Sequence, residues 1–493
     1  MGKLGELLAH PEEIIPLAKM FYASKQACKL PLDPKLAFCY DILNTVSRSF
    51  AVVIQQLPNP LRDAICVFYL VLRGLDTVED DMAIPNDKKI PDLLKFHEYI
   101  YQPGFNMQCG YGHYVRLMRE FGTVVDVFLS LDARFQSVIA DITRRMGAGM
   151  AEFVEREDCE TREQYDLYCH YVAGLVGIGL SQLFASSGLE SDYFAKNEDL
   201  SNHMGLFLQK TNIIRDYLVG RGDGETEDIT EEPAPRMFWP REVWGRYASS
   251  LDEFKDPANR TAAIHCLNDL VTDALRHVPH CVAFLQQLRD PDVFRFCAIP
   301  QIMAAGTLSL CYNNGGVFEG AVKLRRGETA RVFDELRTMA DVHAWFGRYL
   351  RLLRRKALSV ASHDPTAKEA RAAVDSCLKI VDEGSAEVGD AATLTTSERL
   401  GGMLALMLAG AFFYRAWGMG VGSAGALGAA AARRAVPPLA APKFQRPHPL
   451  ANPAGAALLG SGPLLPLTDA GLERYLSLVM LAACVVRVIA VRA

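Results

Sequence analysis

The amino-acid sequence predicts an all-α fold, with a single large helical bundle as the body of the chain. Three observations carry this. From about residue 36 to 355, apolar residues recur at helical spacing, interrupted by short stretches rich in Pro, Asn, Asp and Gly. No strand ladder is visible between them. Half of the residues are hydrophobic and 22% are charged, so the chain can bury a core, and disorder over most of its length is excluded. At 493 residues it could hold two or three average domains, although helical enzymes often run past about 300 residues around one continuous core.

Taken in order, helices are expected over residues 35–57, 60–80, 131–155, 162–187, 200–218, 259–289, 299–312 and 318–323. The 60–80 segment surrounds its acids with Leu70, Val71, Leu72, Leu75 and Val78. The 162–187 segment is a good helix former broken by Gly174, Gly177 and Gly179. Each glycine weakens a helix interior by roughly 1 kcal/mol. Two explanations stand: a kink that makes room for a bulky ligand, or close packing against another helix. Residues 219–240 are glycine-rich, acidic and broken by Pro233 and Pro235, and read as an irregular acidic loop. Beyond about 355 the sequence turns Ala-rich and charged, and over roughly 421–467 it is Ala, Gly and Pro with little periodicity. The chain is therefore divided into a helical body, 1–355, and a variable C-terminal region, 356–493, expected as a flexible low-complexity tail. Within that tail 400–417 and 476–491 are apolar apart from Arg415 and Arg487. A spanning helix takes about 20 apolar residues, so each is a candidate membrane segment, with a helix packed on the body as the alternative.

The formal charge of -6, with no long run of Lys and Arg, excludes a nucleic-acid partner. A polyanionic ligand would need a metal. Twelve cysteines run from Cys28 to Cys484 without a Cys-x-x-Cys pair, against a zinc ribbon or a disulfide framework and in keeping with reduced cytosol. The first residues, Met1 to Glu6, lack the apolar run of a signal peptide, and no secretion is expected.

The chemistry is concentrated in two segments. In the first, running from Tyr69 through Arg73 to Asp81, the acids Asp76, Glu79 and Asp80 stand at i, i+3 and i+4 and share a helix face. Carboxylates gathered on an inward face repel unless a hard cation collects their oxygens, and Mg²⁺ uses one or two carboxylates plus substrate phosphate oxygens. The cluster points to a metal-bound phosphate. The bland alternative, a solvated helix end, fits poorly with its apolar flanks. In the second segment, Phe207 to Leu218, Asn212 and Asp216 stand one turn apart and repeat the logic on another helix. His170 has no second histidine in its motif and reads as structural.

Taken together these segments resemble the squalene synthases, over about residues 36–330. The resemblance is carried by Ser47-Arg48-Ser49-Phe50, the run from Tyr69 to Asp80, Tyr168 to Gly177, Phe207 to Leu218, Phe296 to Pro300, and Lys323-Leu-Arg325, in that order. It implies an isoprenoid-synthase bundle around a deep apolar cavity, and a Mg²⁺- and NADPH-dependent enzyme. Such an enzyme joins two farnesyl diphosphates head to head through presqualene diphosphate and reduces the product to squalene. By the same resemblance, Asp76, Glu79, Asp80 and Asp216 are metal ligands, and Tyr168, Tyr69 and Arg73 belong to the reacting centre, with Tyr168 in proton transfer. Ser47, Arg48, Ser49, Phe50, Asn212, Phe296 and Pro300 are assigned to substrate, and Arg48, Arg73, Arg215, Lys323 and Arg325 to phosphates of substrate or NADPH. A tyrosine is a weak base near pKa 10, so departed diphosphate would be the ultimate proton acceptor. The resemblance further implies a monomer, held at the endoplasmic reticulum membrane by its C-terminal segment with the catalytic body in the cytosol.

The sequence departs from the family pattern after Asp216, where acids are expected three and four positions on and Val219 and Gly220 stand instead. The pair reappears as Glu227 and Asp228, displaced by 219–226, which reads as an insertion. Either the loop returns these two acids to the cavity as further metal ligands or catalysis is impaired, and deleting 219–226 is expected to raise activity. Two other readings follow: a phytoene synthase-like condensation without reduction, and a catalytically impaired helical scaffold.

Overall fold

The computed structural model describes residues 9–27, 30–47, 49–154, 156, 159–220, 238–360 and 363–388. Among the described residues there are helices and turns and no strand, as the spacing predicts. A short 3₁₀ turn, Pro11–Glu13, leads into the first helix, Ile14–Ala27, and the described residues from Lys19 onward belong to one compact unit.

At its centre stands the Leu61–Asp80 helix, whose buried residues include the unbroken run from Ala64 to Phe68. A helix that is apolar on every side must be enclosed. The helices Pro34–Ser47, Asn86–Tyr99, Phe121–Ser130, Ala133–Val154 and Leu175–Ser187 enclose it. The Ala133–Val154 helix shows how a single stripe achieves this: Phe135, Ile139, Ile142, Met146 and Met150 recur every three or four residues and all are buried. The ten described cysteines are free and buried.

The three glycines of the 162–187 segment resolve as packing positions. A Cβ on Gly174 would stand 2.0 Å from the Asn202 side-chain oxygen, one on Gly177 2.3 Å from the Ser201 carbonyl, and one on Gly179 2.6 Å from the Phe68 ring. The segment also changes its winding: Arg162–Cys169 is α-helical, His170–Gly174 is a π turn, and Leu175–Ser187 is α-helical again. One inserted residue of this kind re-aims the side chains after it.

Several boundaries differ from expectation. Residues 35–57 form two helices, Pro34–Ser47 and Ser49–Ile54. Residues 259–289 split into Arg260–Leu275 and Val278–Gln286, where Pro279 can begin a helix but not continue one. Pro291–Cys311 begins well before residue 299, capped by the Asp290 side chain. Residues 318–323 are not a helix: Gly315–Phe318 is a 3₁₀ turn, and the next helix is Arg326–Glu335.

The division at residue 355 is corrected as well. Met339–Ser359, opened by a Thr338–Asp341 capping box, crosses that position, and Ala367–Val388 packs along it with Ala370, Val374, Cys377 and Val381 buried. Their spacing is helical, but alanine and charge hide it from a hydropathy reading. Residues 400–417 and 476–491 lie outside the described residues. Among those described, Arg162–Ser187 and Pro291–Cys311 are long and apolar enough to cross a membrane, and the second is 78% buried within the bundle.

Candidate active site

A cavity of about 280 Å³ opens between the Leu61–Asp80 helix, the 162–187 segment, and the helices Glu198–Arg215 and Pro291–Cys311. Its walls are mostly apolar. Phe184 meets Phe296 edge to face at 6.0 Å between ring centres, and Val172, Ala173 and Val176 enter from the π turn and the helix after it. Pro300 lines the cavity from inside its helix, where its missing N–H leaves the Phe296 carbonyl without its intrahelical donor.

The polar side is built by helical phase. Tyr69, Arg73 and Asp76 stand at i, i+4 and i+7 and all reach the cavity. Arg73 Nη1 lies 3.5 Å from Asp76 Oδ2, Nη2 lies 3.5 Å from the Tyr69 hydroxyl, and the guanidinium sits 5.5 Å over the Tyr114 ring. Its Nε is buried with no hydrogen-bond partner among the described residues. The Asp76 side chain keeps 26% of its surface, but this opens onto a recess walled by protein. Desolvation pushes its pKa up to about 7, against the pull of Arg73 and with Asp80 adding to the rise. Asp80, one turn on, is exposed by surface area; the protein packed around it still raises its pKa, while Arg73 and Lys89 pull the other way.

Glu79 and Asp81 behave differently. Glu79 is 5% exposed and does not reach the cavity lining, and its carbonyl accepts from Lys89 Nζ at 2.8 Å. Asp81 accepts from the backbone N–H groups of Ala83 and Gly110 and from the Tyr111 hydroxyl, and so ties down the turn after the helix.

Tyr168 sits near these acids. Burial raises its pKa well above the ordinary phenol value, with the charges of Asp80 and Asp76 among the further causes. Its ring stacks on Phe238 at 3.6 Å and meets Phe153 edge to face at 5.4 Å. His170, two residues on, is paired with Asn202 at 2.8 Å.

A second cavity of about 180 Å³ shares Phe50, Leu208, Asn212 and Pro300 with the first, so these four separate the two spaces. Arg215 lines the second. Its guanidinium is engaged side-on by Asp216, with Nε 2.6 Å from Oδ1, at the point where the Glu198–Arg215 helix ends. Asp216 reaches neither cavity lining. A helical turn, Tyr217–Gly220, follows it and takes in the first two residues of the expected 219–240 loop, of which 221–237 lie outside the described residues.

Of the other expected residues, Phe50, Asn212, Phe296 and Pro300 come together at the cavity. Ser47 ends its helix with a buried hydroxyl that has no partner among the described residues, and Ser49 opens the helix that carries Phe50. Lys323 is exposed, and Arg325 is half-buried 3.9 Å from Glu328. Arg48, Glu227 and Asp228 lie outside the described residues. Gln209 and Gln301 also line the cavity, and Lys89 and Tyr114 neighbour its charged groups. Gln209 was legible as the i−3 neighbour of Asn212, and Gln301 directly follows Pro300; Lys89 and Tyr114 come from other segments with no local signal.

The family model for squalene/phytoene synthases matches residues 43–328. The squalene synthase LSS of Botryococcus braunii is 56% identical over 365 residues, covering 74% of this chain and 77% of that one. A lycopaoctaene synthase of the same organism is 53% identical over 364 residues, covering 74% and 80%. The solved complex of TcSQS with the ligand E5700 superposes with a TM-score of 0.67 at 45% identity, covering 71% of this chain and 99% of that one. The match spans both acidic helices, Tyr168 and the cavity walls, and the chain belongs to the squalene/phytoene synthase family.

Proposed function

We propose that this protein condenses two farnesyl diphosphates to presqualene diphosphate and converts that intermediate reductively to squalene, with Mg²⁺ and NADPH. One observation carries the reading: a desolvated Asp76, with Asp80 one turn on and Arg73 beside it, at the wall of an apolar cavity near Tyr168. Relatives named squalene synthases, which share more than half of the aligned residues, support the same reaction.

The donor set fits magnesium. Asp76 and Asp80 offer hard oxygens whose ionisation is opposed until a cation arrives, and these two would hold it, with Asp216 joining if Arg215 releases it. The ion would neutralise charge on the leaving diphosphate. Arg73 adds a fixed positive charge there, its buried Nε offering a donor to a phosphate oxygen. Tyr168 remains a neutral phenol, so it donates a hydrogen bond toward the diphosphate and passes a proton rather than holding one. The apolar walls keep water from an allylic cation, and Phe50 and Phe296 present aromatic surface to it. NADPH would supply hydride. Of the five cations expected at phosphates of substrate or NADPH, Arg73 lines the first cavity and Arg215 the second, Lys323 is exposed to solvent, Arg325 stands near Glu328, and Arg48 lies outside the described residues.

By the same reading the protein works as a monomer at the endoplasmic reticulum membrane, body in the cytosol, held by 400–417 and 476–491. Comparing the location of the whole chain with one truncated after residue 393 tests this. The reaction is tested by incubating purified protein with farnesyl diphosphate and Mg²⁺, with and without NADPH, and analysing the lipids. Squalene only when NADPH is present is expected; a hydrocarbon independent of NADPH refutes the reductive step, and no diphosphate release refutes the whole. The lycopaoctaene synthase relative matches about as closely as the squalene synthases, so the assay includes a longer allylic diphosphate, which should turn over more slowly.

A further inference from the structure

The first two turns of the Glu198–Arg215 helix and the start of the Val278–Gln286 helix gather three histidines and a carboxylate, a cluster the prenyl chemistry does not use. Asp199 and His203 stand one turn apart, with His203 Nε2 3.8 Å from Asp199 Oδ1. The His280 ring lies over that of His203, centres 3.8 Å apart and planes within 12°. One ligand atom from each of Asp199, His203 and His280 falls within 4.8 Å of the other two. Ligand atoms around a tetrahedral zinc ion stand about 3.4 Å apart, given bonds of about 2.0–2.1 Å. Convergence therefore asks two things: Asp199, 79% exposed, swings inward, and the His280 ring turns out of the stack so that its plane contains the ion.

We propose that Asp199, His203 and His280 form a binding site for one zinc-class divalent ion that ties these two helices together. Two neutral imidazoles and a carboxylate suit a borderline metal, whereas Mg²⁺ prefers an all-oxygen shell.

A buried neighbour orients the central ligand. His277, 3% exposed, places Nδ1 2.7 Å from His203 Nδ1. With both rings neutral, a single proton lies between the two nitrogens, since one Nδ1 must donate and the other accept. When His203 holds that proton on Nδ1, its Nε2 lone pair faces Asp199, which is the coordinating form. This is how a second histidine fixes the tautomer of a metal ligand. The tie has consequences for the cavity, since Met204, Gly205, Gln209 and Asn212 on one helix and Phe284 on the other line its walls.

The test uses full-length protein stripped with a chelator and titrated with Co²⁺ in excess Mg²⁺, which fills the oxygen sites. One equivalent of cobalt with visible tetrahedral d–d absorption, displaced by Zn²⁺, is expected. H280A and D199N, neither of which removes the His203–His277 hydrogen bond, should each lower affinity by at least about tenfold, with the metal-free melting temperature unchanged. Zn²⁺ should raise the melting temperature of the parent but not of H280A. No saturable band at millimolar cobalt, or unaltered affinity in the H280A/D199N double variant, overturns the proposal.

Discussion

Replacing Gly205 with alanine tests the packing on which the cavity depends. A Cβ at this position would stand 2.2 Å from the Ala173 carbonyl oxygen, 2.5 Å from its carbon and 2.7 Å from Gly174 Cα, all main-chain atoms that cannot rotate aside. Ordinary contact begins near 3.4 Å, so the Glu198–Arg215 helix and the π turn must part by about 1.2 Å. Both elements line the cavity. Overpacking against rigid backbone belongs at the upper end of the usual range, about 3 kcal/mol. A displacement near 1 Å in positioned groups costs on the order of 100-fold in rate. The assay pairs urea denaturation with kcat/KM for farnesyl diphosphate. G320A, whose new Cβ meets nothing within 4 Å, is the control and should match the parent. If G205A keeps parental stability and turns over within a factor of two, the seam is not rigid and the reasoning fails.

Asp76 gives a pH signature. Its folded pKa of about 7 lies above the unfolded carboxylate value of about 3.9, so the native state holds the extra proton between them. Metal-free protein should therefore lose stability as pH rises through that window, and D76N should flatten the loss in thermal melts. Protons also compete with Mg²⁺: at pH 6 only about a tenth of Asp76 is ionised, so magnesium should bind about tenfold more weakly than at pH 8, by calorimetry. Tyr168→Phe should lower kcat by about 100-fold or more, with little change in melting temperature, because stacking on Phe238 is retained; near-parental kcat would remove Tyr168 from the chemistry. Lys210→Met removes a fully buried ammonium paired with Asp273 at 2.6 Å and with Asp166, and should cost about 3–5 kcal/mol in urea denaturation.

The helical class and the two acidic segments were legible because helical phase is local, whereas Phe50, Phe296 and Pro300 were assigned by the resemblance alone. Asp76 seven residues after Tyr69, or Asn212 three after Gln209, needs only the 3.6-residue turn to be placed on one face. The alanine-rich helix Ala367–Val388 was missed because its charged outer face lowers the average hydropathy of the segment, although Ala370, Val374, Cys377 and Val381 keep helical spacing on its buried side.

Sequence alone determined which residue types meet on each helix and that carboxylates would face inward. Tertiary structure decided which of them work together. Asp76 reaches the cavity while Asp81 is taken up by a turn and Asp216 by Arg215, and the choice between packing and kinking at Gly174 and Gly177 was made by Asn202 and Ser201 on another helix. Lys89 and Tyr114 come to the charged groups from other segments. Desolvation, which lifts Asp76 toward neutral pH, is the sum of everything packed around a carboxyl, and no run of neighbouring residues encodes it.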